Sequence, residues 1–343
     1  MFYKRASTIV VHWDGPAGWI ENYGTRMRVR LEPPMMEVLH VLSQWSSAED
    51  VERSCAHLDP AIIRQALDQL IATRLVLLSQ AHSDVEAAFE GWASWSPAAS
   101  FFHQSTKDVA YVNGASRIHQ ARYSDVVNPP PPRPSTQAQV VLPSPASIGD
   151  LGRALHDRRT WRAFGATPVS ATDLATILGL TWGTVGHLQL GNDFSLPLKT
   201  SPSGGACQSV EVYVAVRNVT GLDAGLYRYH ADGHGLTRVG RPPNDEEITT
   251  WVGGQSWVAG ASAVCFMTSV FERVQWKYLS PRAYRVILLE AGHLCQTFCL
   301  VATALALAPF CSAALADTLI EQKLGIDGIR ESVLYAAGVG TRP

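Results

Sequence analysis

This chain of 343 residues contains no Cys-x-x-Cys pair. Its six cysteines (Cys55, Cys207, Cys265, Cys295, Cys299 and Cys311) are scattered. That usage gives no disulfide framework and suits a reducing compartment. Cys295 and Cys299 share one face of an expected helix, but no second ligand pair accompanies them, so a metal is not expected. An excess of one charge is also missing: 28 basic against 30 acidic residues leave a net charge of −2. No broad field attracts nucleic acid or an anionic membrane, so any anion site has to be local. The opening Met1-Phe2-Tyr3-Lys4-Arg5 lacks the layout of a signal peptide, and a cytoplasmic location is expected. There is no Gly-x-Gly-x-x-Gly after a first strand and no Gly-x-x-x-x-Gly-Lys-Ser, which leaves a Rossmann nicotinamide site and a P-loop unsupported. Acidic and basic residues are absent from Ala291 to Ala316. Length alone would let that stretch span a membrane. His293, Gln296, Thr297 and Pro309 interrupt it, so a buried core helix is expected and no membrane partner.

What is present divides the chain. Asn128-Pro129-Pro130-Pro131-Pro132-Arg133-Pro134 opens a Pro-rich linker over 128–145, a semi-rigid spacer by composition. Before it, β-type runs at Thr8–Trp13 and Met27–Leu31 flank an Asp14-Gly15 turn. Three helices are expected, from Pro33, from Ser47 and from Asp59-Pro60, and then a strand at Leu75–Leu78. The order is that of a small winged-helix-like module over 1–82, with 83–145 as a connecting region. The third helix mixes Asp59 and Asp68 with Arg64 and Arg74, so no phosphate-binding surface accumulates. Peptide docking or dimer support is the expected role, not nucleic acid.

The remainder, 146–343, reads as a second domain. Helices are expected at Ser147–Arg158, Ser170–Thr184, Pro281–Leu307 and Ala314–Leu324. Strands are expected at Val210–Val216, Ala261–Val270 and Val333–Gly340, with a hairpin through Asp232-Gly233. Strands and helices do not alternate strictly, so the fold class is α+β.

Two segments carry chemistry. Arg158, Arg159, Thr160 and Arg162 place three guanidiniums and a hydroxyl within five residues. That set can grip an anion, and equally it is what a solvated helix C-terminus collects. Thr200-Ser201-Pro202-Ser203-Gly204-Gly205-Ala206 lets backbone approach a flat ligand and leaves amides as donors, or is a plain loop.

Arg158-x-Thr160-x-Arg162 resembles the Arg-x-Ser-x-Arg/Lys signature of nitroreductase-like flavoproteins. Pro202–Ala206 with Val210-Glu211-Val212-Tyr213 is similar to the Pro-Ser-Ala-Gly-Ala…Leu-Glu-Val-Tyr stretch of their SagB-type branch, the azoline dehydrogenases. Gly225–Tyr229, Leu289–His293 and Gly338-Val339-Gly340 continue the likeness, which covers most of 147–340. It implies a nitroreductase-like FMN-binding sandwich with a central buried helix. Arg158, Thr160 and Arg162 would hold FMN phosphate and ribityl oxygens, and Pro202, Ser203 and Gly204 would line the isoalloxazine. Ala313-Ala314 stands where the family has Gly-Gly near flavin N5. Arg342 reaches the phosphate, as a C-terminal Arg does in relatives, or lies in an exposed tail. The family also implies a homodimer with flavin at the interface.

The branch carries a Lys-Tyr pair, here Lys277-Tyr278, with the following Arg282-Ala283-Tyr284 one residue farther along than in the family's pattern. A desolvated Lys277 would take the Cα proton of an azoline while hydride leaves for the flavin, with Tyr278 orienting it. The alternative for the pair is a surface lysine and an aromatic helix cap. Tyr284 and Arg285 are supporting candidates, and His293 is read as a satisfied core histidine.

The expected function is therefore FMN-dependent oxidation of thiazoline or oxazoline rings in a ribosomally made peptide, with oxygen reoxidising the flavin. A cyclase or leader peptide would be the partner of the first module. Two alternatives stay open: an FMN oxidase or NAD(P)H-dependent reductase of another peptide or small molecule, and a flavin-free scaffold of a biosynthetic complex.

Overall fold

The computed structural model describes residues 1–80, 84–108, 146–189 and 195–343. The Pro-rich stretch 128–145 lies outside them. The chain forms two compact units, Met1–Lys107 with Gln275–Tyr284, and Asp108–Val274 with Arg285–Pro343. The sequence division left 83–107 as a connector and 275–284 in the C-terminal domain; their contacts group both with the N-terminal unit.

In the first unit β1 (Phe2–Arg5) is followed by a meander of β2 (Ile9–Asp14), β3 (Ala17–Asn22) and β4 (Met27–Arg30). Gly15 takes φ +57° in the β2–β3 turn, a conformation favouring glycine. Then come α1 (Pro33–Val41), β5 (Ser46–Ser47), α2 (Ala48–Ser54), α3 (Pro60–Ala72) and β6 (Val76–Leu78). β1 sits between β5 and β6 in an antiparallel sheet. The Ser47 hydroxyl accepts from the Asp50 amide while the Asp50 carboxylate accepts from the Ser47 amide, a capping box that starts α2. Ile20, Val38, Leu42, Ile63, Leu70 and Leu75 fill the core.

Two further helices, α4 (Asp84–Glu90) and α5 (Ser96–Ser105), carry an aromatic cluster. His103 stacks on Trp92 at 5.5 Å between centroids, and its Nδ1 lies 2.8 Å from the Tyr284 hydroxyl. Trp95 Nε1 donates to the Tyr278 carbonyl at 2.6 Å. These bonds attach residues 275–284 to this unit.

The second unit is a sheet covered on both faces. Its elements are α6 (Gly149–Asp157), β7 (Val169–Ser170), α7 (Ala171–Trp182), β8 (Gly186–Gln189), β9 (Ser195–Leu198), β10 (Val210–Val216), β11 (Val219–Thr220), β12 (Gly225–His230), β13 (Gly235–Gly240), α8 (Asp245–Trp251), β14 (Ala263–Val270), α9 (Ala283–Ala304), β15 (Ala308–Ser312), α10 (Asp317–Leu324) and β16 (Glu331–Gly340). Six strands run β13-β12-β10-β14-β16-β15, every pair antiparallel.

Side chains alternate across a strand. Val210, Val212, Val214 and Val216 of β10 therefore pack with α7 and α9, through Leu178, Trp182, Leu294 and Phe298. Tyr213 and Ala215 meet Ile248 and Trp251 of α8 and Ile320 and Leu324 of α10 on the other face. The result is an α+β sandwich.

Two expectations change here. Pro309 and Cys311-Ser312 do not simply end the long helix; they form β15, an edge strand, where a proline without an amide donor is tolerated. The helix itself is not apolar core all round. Half of its most apolar window is buried, while Leu289 is 61% exposed and Leu288 41%.

Candidate functional site

The basic segment begins where α6 stops. Arg158 is the C-cap, its amide donating to the Ala154 carbonyl at 3.0 Å. Arg159 folds back, Nη1 donating to the carbonyls of His156 at 2.7 Å and Arg158 at 2.8 Å. So Arg159 alone does what basic residues ordinarily do at a helix C-terminus. The chain then runs beside the edge strand, the Trp161 amide donating to the Pro309 carbonyl at 3.0 Å.

Arg342, far away in sequence, arrives at the same place. The Gly165 amide donates to the Thr341 carbonyl at 2.9 Å, and the Arg342 guanidinium lies 5.6 Å from the Trp161 ring. A Cβ on Gly165 would sit 2.6 Å from the Arg342 carbonyl oxygen, so glycine is what lets this tail close in. The Arg162 guanidinium lies 5.9 Å from the Trp257 ring. Among the described residues, no carboxylate forms an ion pair with Arg158, Arg162 or Arg342. Thr160 is half-buried. Three guanidiniums without a described counter-ion make a place for an anionic ligand.

The glycine loop is built from α9. Glu290, 2% exposed, accepts from Ser203 Oγ at 2.6 Å, Ser209 Oγ at 3.4 Å and the Val210 amide at 3.2 Å. Ser203 Oγ also accepts from the Gln208 amide at 2.9 Å. The Ser203 hydroxyl is thus engaged internally, and Ser203 positions the loop. A Cβ on Gly204 would meet Val286 Cγ1 at 2.2 Å. Gly205, Ala206 and Gln208 have φ of +62°, +56° and +46°, so the turn holds two non-glycine residues in the left-handed region. His293 is exposed on α9, not a core histidine, and its Nδ1 lies 3.1 Å from the Pro202 carbonyl. Pro202 itself is exposed.

At the third predicted point, the Ala314 amide donates to Ser312 Oγ at 3.1 Å, and Ser312 Oγ accepts from Gln255 Nε2 at 2.7 Å. The Ala314 amide is therefore engaged within its own turn.

Lys277 and Tyr278 belong to the first unit and the anion site to the second. Lys277 is exposed, its Nζ 5.9 Å from the Tyr278 ring. The second unit holds a lysine that the sequence reading passed over. Burial pushes the Lys199 ammonium below its ordinary value, against the opposing pull of Glu211 and Glu290. It follows β9 and precedes the glycine loop. Nothing in its local sequence signalled this, because the burial comes from the fold.

A covered antiparallel sheet with a glycine loop pinned from a core helix defines an α+β sandwich. A family model described as Nitroreductase family matches residues 155–341, more than half of the chain. The chain belongs to the nitroreductase family, which places it among oxidoreductases.

“Putative nitroreductase MJ1384” of Methanocaldococcus jannaschii is 29% identical over 188 residues, 55% of this chain and 90% of that protein. “Trifolitoxin-processing protein TfxB” of Rhizobium leguminosarum bv. trifolii is 29% identical over 144 residues, 40% of this chain, and the match spans 38% of that protein's length. A chain of the E. coli microcin synthetase McbBCD complex with truncated pro-MccB17 bound shares the fold at TM-score 0.52 and 19% identity, over 77% of this chain and 100% of that one.

Proposed function

We propose that this protein is an FMN-dependent oxidoreductase of the SagB-type branch that oxidises azoline rings in a ribosomally made peptide. The carrying observation is Arg342, brought to 5.6 Å from the Trp161 ring of the basic segment, where neither it nor Arg158 nor Arg162 has a described carboxylate ion pair. A phosphate monoester dianion fits that set, since guanidiniums bind phosphate bidentately. The loop at Pro202–Gly205 is assigned to the flat ring on its resemblance to the family's stretch, with Gly204 packed directly on Val286 of α9. FMN, when bound, supplies a two-electron acceptor for hydride.

The chain's own residues have the remaining tasks. Arg158, Thr160, Arg162 and Arg342 hold the phosphate end. Glu290 and Ser203 fix the loop. Lys199, its ammonium pushed below its ordinary value by burial, is the proton acceptor we assign within this unit, and Lys277 with Tyr278 is assigned to the substrate side.

The peptide substrate is supported by the resemblance at Pro202–Tyr213 and by the relative named for processing trifolitoxin. The first unit, read as a winged-helix-like module, docks a leader peptide or a partner cyclase. The open face of α9, with Leu288 and Leu289, is the proposed homodimer surface. The enzyme works in the cytoplasm, and oxygen reoxidises the flavin.

A second reading keeps the flavin and replaces the peptide with a small molecule reduced at the expense of NAD(P)H. The archaeal relative favours it, being matched over 90% of its own length.

Purified protein is expected to be yellow with one flavin per chain. Arg158→Ala, Arg162→Ala and Arg342→Ala should each weaken FMN binding, since a charge-assisted bond contributes about 1.5–3 kcal/mol, or roughly 10–150-fold. Incubation with a thiazoline- or oxazoline-containing peptide in air should remove two hydrogens per ring and consume oxygen. A colourless protein that takes up no FMN refutes the cofactor. A yellow protein that NADPH reduces rapidly and that leaves azolines intact refutes the substrate and selects the second reading.

A further inference from the structure

We infer that Cys295, Cys299 and Cys311 form a binding site for one thiophilic divalent metal ion of the zinc class, coordinated by three thiolates. The side-chain sulfurs all lie within 4.8 Å of one another, and among the described residues they are the group of potential metal ligands that comes together in this way. Two of them stand one helical turn apart on α9, and the third comes from β15. The fold therefore brings Cys311 to a pair that local sequence had already placed on one face.

Several features favour a metal over plain packing or a disulfide. A zinc–sulfur bond is about 2.3 Å, so tetrahedral thiolates stand about 3.8 Å apart. Closing a trio from within 4.8 Å needs side-chain movements on the order of 1 Å. A disulfide would join two sulfurs at about 2.0 Å and leave the third unused. The donor set is entirely sulfur, which selects soft ions over magnesium or calcium.

Three thiols release three protons as three thiolates bind one divalent ion, leaving a net −1. Cys295 and Cys299 are each 4% exposed and Cys311 is half-buried, so water is largely excluded and one side remains for entry. This inference does not depend on the flavin, because all three thiols belong to the protein.

The test uses the full chain, reduced and freed of metal with a chelator, then titrated with cobalt(II). One equivalent should produce thiolate-to-cobalt charge-transfer and intense tetrahedral visible bands, and zinc(II) should abolish them. Zinc should also protect the half-buried Cys311, but not Cys207, from maleimide labelling read by mass spectrometry. Cys299→Ser or Cys311→Ser should weaken binding by more than the roughly 10–100-fold typical of groups that merely support a ligand, while Cys207→Ser leaves it unchanged. Labelling of the wild-type chain decides the matter even if a variant misfolds. Absence of the cobalt bands, a Cys311 disulfide in the reduced and repurified protein, or zinc that leaves Cys311 as reactive as before would each overturn the site.

Discussion

Replacing Glu290 by alanine should loosen the glycine loop and the whole second unit. The carboxylate is 2% exposed and accepts three hydrogen bonds, from Ser203 Oγ, Ser209 Oγ and the Val210 amide. A buried donor stripped of its acceptor costs about 1–3 kcal/mol. The two hydroxyls can turn elsewhere, but the Val210 amide is fixed at the start of β10. A total of about 3–5 kcal/mol is therefore expected, a large share of the roughly 5–15 kcal/mol that holds a domain together.

Glutamine keeps an acceptor for Val210. It also presents an amide to Ser203 Oγ, which already accepts from the Gln208 amide. Its loss should be smaller, about 1–2 kcal/mol. The loop also keeps Ala206 and Gln208 at positive φ, a conformation that persists because surrounding bonds over-determine it. FMN retention should therefore fall in the same order: wild type, Glu290→Gln, Glu290→Ala. Urea unfolding read by tryptophan fluorescence and flavin release read by flavin fluorescence measure the two effects. A Glu290→Ala protein destabilised by less than about 1 kcal/mol, or less affected than Glu290→Gln, would refute the reasoning.

Gly204→Ala should cost about 1–3 kcal/mol, because its Cβ would stand 2.2 Å from Val286 Cγ1; adding Val286→Ala should restore most of that in the same melts. With Lys199 acting in its neutral form, turnover should rise with pH through a pKa below the lysine value of 10.5, and Lys199→Met should abolish that limb of the pH–rate profile while FMN stays bound. The Arg241 guanidinium, with the Asn244 amide, holds the Glu247 carboxyl down at about 2 from 4.5. The stability it contributes is complete above about 4.5 and is lost as pH falls through about 2; Arg241→Ala should flatten acid unfolding in that window by no more than about 1 kcal/mol, given the pair's exposure.

Much of the second unit was legible because its signals are local. The run Val210–Val216, the Asp232-Gly233 hairpin and Ser170 as an N-cap accepting from the Asp173 amide each declare themselves within a few residues. The basic segment was legible as a cluster, but only the fold separates its members. Arg159 binds helix carbonyls, while Arg342 joins the site through the Gly165–Thr341 bond.

What stayed hidden depends on long-range closure. Pro309 looked like a helix breaker because its place at a sheet edge is decided by β16. The cysteine trio needed that same strand to bring Cys311 to α9. Lys277 was visible as part of a motif, whereas the burial of Lys199 comes from the fold and leaves no local signal. Glu290 sat beside His293 in the sequence but turns inward to the serines, while His293 reaches the Pro202 carbonyl.

α9 holds Glu290 inward and Leu289 outward, in adjacent positions of one rigid rod. Its inner face sets the shape of the loop and its outer face is open to a neighbour. Anything that settles on those leucines also bears on the carboxylate behind them. If copies of the chain pair over those leucines and flavin is held by the loop, as proposed, loss of colour on dilution becomes a property of this rod, with ligand release and subunit separation as two readings of one mechanical event.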